Sequence, residues 1–172
     1  ETLRDAILAA SGKLDRQIGG PPAEGPLLAD GLKKFGNFFD EASQERPAES
    51  VGMWRRSVYV LARRYLPLAF LETFDAPILQ TNCNRRVNSV SPLQSLTLMN
   101  DRFMFEQSSR FAARVLQEAG QLPHSERIAV AFRLALARPP HPAEHRWASD
   151  LVTHQTERYR QQPDTVAAAE RH

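Results

Sequence analysis

Leu3, Ala6, Ile7, Ala10, Leu14 and Ile18 recur at spacings of three and four. That spacing is one apolar helical face, and it predicts a helix from about Thr2 to Gln17, capped by Thr2 or a residue before it. Gly19-Gly20-Pro21-Pro22 stops it, because glycine supplies left-handed backbone and proline cannot continue the hydrogen-bond ladder. The pattern then dissolves. Residues 19–53 hold four prolines and, before Gly52, five of the chain's eight glycines. Apolar residues there are sparse except for Leu27-Leu28 and the stretch from Phe35 to Phe39. This reads as a long loop-rich insertion, and loops of that length often carry function.

The run from Trp54 to Tyr65 mixes two signals. Val58, Tyr59 and Val60 favour extended backbone, whereas Leu61, Ala62 and Tyr65 suit a helix. The composition predicts a short strand over Ser57 to Ala62, broken by Pro67. Leu68 to Phe74 forms a brief helix that Asp75-Ala76-Pro77 ends, since a residue before proline avoids helical geometry. Ile78 to Val90 shows no period and is expected to lie extended on other elements.

Helical periodicity returns at Ser91-Pro92-Leu93-Gln94. Ser91 is placed as an N-cap, proline at the first helical position, and Gln94 three residues on, which is a capping box. Leu93, Leu96, Thr97 and Leu98 follow as a buried Leu-rich turn, closed by Asn100-Asp101. A second helix spans about Arg102 to Ala119, with Phe103, Gln107, Phe111, Val115 and Leu116 on one side and Gly120 as its stop. Ser125 caps a third, faced by Ile128, Ala131, Phe132, Ala135 and Leu136 and ended by Pro139-Pro140. A fourth opens near Pro142 and turns Trp147, Leu151 and Tyr159 inward. Asp164 to Ala169 is helical by propensity. The fold class is therefore mostly α: several antiparallel helices, a long loop-rich N-terminal segment and at most a small strand pair. Residues 1–172 read as one domain, with 19–53 as an insertion within it.

Composition changes this picture little. At 172 residues and 42% apolar, the chain can build a real core. A formal charge of +2 gives no strongly basic face, which argues against a nucleic-acid partner. Only three of the 22 basic residues are lysine, and arginine suits bidentate pairing with carboxylate or phosphate. No apolar run approaches the ~20 residues of a membrane span. Cys83 is the one cysteine, so no internal disulfide forms and no Cys-x-x-Cys-His motif can attach a c-type haem. The start inside an apparent helix suggests a piece of a longer protein.

Four groups of residues could carry chemistry. Cys83 has Arg85 and Arg86 beside it, which would lower its pKa, but no histidine nearby to act as base; a lone cysteine is more often a small buried apolar residue. Arg55-Arg56, Arg63-Arg64 and Arg85-Arg86, interleaved with Trp54, Tyr59 and Tyr65, could bind anionic groups. They could equally anchor irregular backbone through Asp75, Glu72 and Asp101, and that is the favoured reading. Asp75 with Asp101 would serve as an acid/base pair only if they converge, and Asn88, Gln94 and Asn100 could bond a ligand or buried backbone. His141-Pro142-Ala143-Glu144-His145 spells H-x-x-E-H. However, Pro142 should be the first helical residue, which leaves His141 outside the turn that a zinc site needs. No metal site is assigned.

The segments LRDAILAASGKLDRQIGGPP, RRSVYVLARRYLP, ETFDAP, CNRRVNSVSPLQSLTLMND and FRLALARPPHPAE resemble, in this order, a domain of unknown function found C-terminal in planctomycete-type cytochrome c-associated surface proteins. Arg55, Arg56, Asp75, Pro77, Arg86, Pro92, Gln94, Leu96, Asn100, Asp101, Arg138, Pro140 and Glu144 stand on its recurrent positions. Ser91 replaces the family's usual threonine cap, and His141 stands where a Thr or Ser cap is more usual. The resemblance implies a surface, periplasmic or exported multidomain protein, with any haem in another domain, and no established activity.

Two functions follow as expectations. The first is an accessory module that packs against neighbouring domains of its parent protein. The second is an enzyme domain acting on polysaccharide or another anionic substrate, such as an anionic glycan. Its pocket would be drawn from Arg85, Arg86, Asn88, Asp75 and Asp101, with Cys83 as a further ligand-binding candidate.

Overall fold

The computed structural model describes residues 1–23, 54–61, 68–77 and 89–161. The described residues are mostly helical, with isolated β-bridges and no strand among them. They fall into two compact units, Glu1–Asp101 and Arg102–His172. Among the described residues no helix is long and apolar enough to cross a membrane. Of the 19–53 insertion only residues 19–23 are described, and Asp164–Ala169 lies outside the described residues.

In the first unit, α1 spans Thr2–Ser11, six residues shorter than its apolar period predicts. Gly12 ends it in the left-handed region at φ 78, and the amides of Lys13 and Leu14 turn back to the Leu8 carbonyl at 2.9 and 3.0 Å. The buried face is also not the predicted one. Arg4, Leu8 and Ser11 are buried, one residue and so about 100° around the helix from Leu3, Ile7 and Ala10.

The strand expected over Ser57 to Ala62 is instead a single 3₁₀ turn, Ser57–Tyr59. Asp15 and Arg55, and Ala23 and Val60, pair as isolated parallel bridges on either side of it. The β-branched residues here meet only a bridge, so their strand preference has no ladder to join. Two short helices follow, α2 over Ala69–Thr73 and α3 over Pro92–Asn100. Phe70 is buried and stacks at 4.9 Å on Phe74.

The second unit holds α4 (Arg102–Ala119), α5 (His124–Leu136) and α6 (Pro142–Gln161). Val115, Ala119 and Val130 form its buried core, with Phe111, Ala131 and Leu134 packed against them. Both α4 and α5 contribute to this cluster, joined by the short connection at Gly120. That glycine sits at φ 54, as a helix stop requires. Two expectations fail here. The cap of α5 is Pro123 and not Ser125, with no side-chain bond, and Ala137 at φ 55 ends the helix before Pro139. The inward face expected of α6 is not found either: Trp147 and Leu151 are 70% and 60% exposed, Tyr159 is exposed too, and no residue of the helix is buried.

Candidate functional site

The α2–α3 junction gathers the predicted site residues that the structure describes. Asp75 follows α2 with φ 57, a left-handed conformation that Asp tolerates better than most residues. Its carboxylate accepts from the Ser89 amide at 2.7 Å and from the Ser89 hydroxyl at 2.8 and 3.0 Å. Those bonds, the amide first and the hydroxyl second, hold Asp75 below the ordinary carboxylate range, with a smaller contribution from the Gln94 side chain. Gln94 also donates to the Thr73 carbonyl at 3.1 Å and to the Ser89 hydroxyl at 3.3 Å.

Gln94 has a further role. Its carbonyl oxygen accepts from the Ser91 amide at 3.3 Å while the Ser91 hydroxyl accepts from the Gln94 amide at 3.4 Å. This is the predicted capping box with Pro92 at the first turn. One glutamine therefore starts α3, ties it to the end of α2 and braces the Asp75–Ser89 contact. Asp101 sits at the far end of α3, where its amide donates to the Thr97 carbonyl at 2.9 Å. Seven residues at ~1.5 Å each place Asp101 roughly 10 Å beyond Gln94 along this helix. Asn100 folds its amide back on the Leu96 carbonyl at 3.1 Å. Cys83, Arg85, Arg86 and Asn88 lie outside the described residues, as do Arg63 and Arg64.

The leucines of α3 do not form the expected buried turn. Leu93 is 59%, Leu96 54% and Met99 71% exposed, and no residue of the helix is buried. Gln94 and Asn100 of α3 are bonded within the unit while its apolar side chains face out.

A second polar cluster joins Arg55 and Tyr59 to Arg4, Asp5 and Ser57, which the sequence did not single out. Arg4, 3% exposed, donates to the Arg55 carbonyl at 3.0 Å and the Ser57 hydroxyl at 3.3 Å. Asp5 accepts from the Ser57 amide at 2.8 Å and its hydroxyl at 2.6 Å. Burial lowers the pKa of the Arg4 guanidinium, and the neighbouring Asp5 carboxylate opposes this. Arg55 donates to the carbonyls of Pro21 at 2.8 Å and Gln17 at 3.4 Å, and to that of Gly19. Its guanidinium lies 4.1 Å from the Tyr59 ring centre, and the Tyr59 hydroxyl accepts from the Gly19 amide at 3.0 Å. Arg55 is thus an anchor, but on backbone carbonyls and not on Asp75, Glu72 or Asp101. Arg4 and Asp5 carried a readable signal only in being charged residues inside an apolar helical run.

The H-x-x-E-H segment is a helix corner. Glu144 accepts two bonds from Arg138, both at 2.7 Å, and one from the His141 amide at 2.8 Å. The Arg138 bonds come first and the His141 amide next in taking the Glu144 carboxyl down to about 2. Glu144 thus supplies half a capping box at the position where His141 replaces the usual hydroxyl residue. His145 Nε2 donates to the Ser125 carbonyl at 3.0 Å. The imidazole of His145 and the carboxylate of Glu144 are each held by protein partners, and among the described residues no group of three His, Cys, Asp or Glu is placed to hold a metal.

No curated protein and no solved structure matches the chain. A match over residues 1–152, spanning the α2–α3 junction and the Arg138–Glu144 corner alike, shows that the chain belongs to the PSD1 family, proteins of unknown function (DUF1553).

Proposed function

We propose that the chain is an accessory or interaction domain of a larger exported or surface protein, cytochrome c-associated and of planctomycete type, which packs against its neighbouring domains. In this reading any haem belongs to another domain of the parent. The observation that carries it is α3. Its Gln94 and Asn100 side chains make internal bonds, whereas Leu93, Leu96 and Met99 stand exposed on a nine-residue helix. A helix this short is marginal by propensity alone and gains stability from covering its apolar side. Covering apolar surface is favourable by about 25 cal/mol per Å². The rival, an enzyme on polysaccharide or another anionic substrate, needs Asp75 and Asp101 to converge; Asp75 is bonded to Ser89 ahead of α3, and Asp101 follows the end of that helix.

Hydroxyl-radical footprinting of the isolated domain and of the full-length parent protein tests the reading. Leu93, Leu96 and Met99 are expected to be labelled several-fold less in the parent. Equal labelling in both would leave α3 uncovered and remove the packing role.

A further inference from the structure

We draw no further inference here: the strongest candidate, the exposed apolar side chains Trp147, Leu151, Val152 and Tyr159 on α6, carries nothing because nothing in the structure shows what covers them.

Discussion

The two units are held together by different kinds of bond. In the second, α4 and α5 meet through apolar side chains at helical spacing, and the α5–α6 corner closes through Arg138 and Glu144, six residues apart. Among the described residues of the first, Leu8, Ala23 and Phe70 are the buried apolar ones. What joins its segments is a set of side chains bonded to distant backbone. Arg4 reaches Arg55 across 51 residues, Arg55 reaches back 34 to 38 residues, and Asp75 clasps Ser89 across 14. A hydrophobic hairpin tolerates the loss of a single contact by partial collapse. A guanidinium serving three carbonyls does not, because its removal breaks three long-range connections at once.

That difference can be broken at four places. Arg55→Ala should have the largest effect, about 3 kcal/mol, since it removes a buried guanidinium that makes three charge-assisted hydrogen bonds and packs on the Tyr59 ring. Urea unfolding followed by Trp54 fluorescence in a Trp147→Phe background measures it. An unchanged midpoint would mean that the Arg55 bonds contribute nothing net. Val115→Ala should cost about 2 kcal/mol through the cavity it leaves between α4 and α5. Hydrogen exchange should show it as lost protection in those helices, with the Trp54 transition unmoved. If the Trp54 transition moves equally, the two units unfold as one body and the contrast fails.

Ser91→Ala should cost about 1 kcal/mol by removing one arm of the capping box, read as faster exchange of the Gln94 amide. Ser91→Gly should cost only a few tenths of that unit. The smallest effect belongs to Glu144, whose contact with Arg138 is open to solvent. Its folded pKa, about 2, lies below its ordinary 4.5. The contribution is therefore fully present above pH 4.5 and is lost as pH falls toward 2. Acid titration of α6 helicity should be shallower in Glu144→Gln over that window, and identical curves would show the corner to be electrostatically idle.

What was legible in the sequence follows the same divide. The bounds of α4, the start of α6 and the Ser91–Gln94 box follow from rules that act within one turn of helix, and the structure has them at the predicted residues. The end of α1 was misread because Leu14 and Ile18 prolong the apolar period past Gly12, although a glycine after Ser11 is itself a stop signal. Arg4 was invisible because its burial depends on acceptors more than 50 residues away. The exposed Leu93, Leu96 and Trp147 show the limit of reading burial from hydropathy: the period states which side of a helix is apolar, but not whether anything covers it. Of the candidate site, Asp75 and Gln94 were identified but their partner Ser89 was not, since nothing local links position 89 to position 75.

The Arg55 clasp also sets an order of events during synthesis. Residues 17–21 leave the ribosome 34 to 38 residues before the guanidinium that holds them. At roughly 5–20 residues per second that is a wait of a few seconds. Closing so long a connection must also precede the reward of the contact, which slows folding relative to the adjacent-helix contacts of α4 and α5. The N-terminal turn is thus made early and secured late, and for that interval the segment after α1 lacks the bonds that hold it in the folded unit.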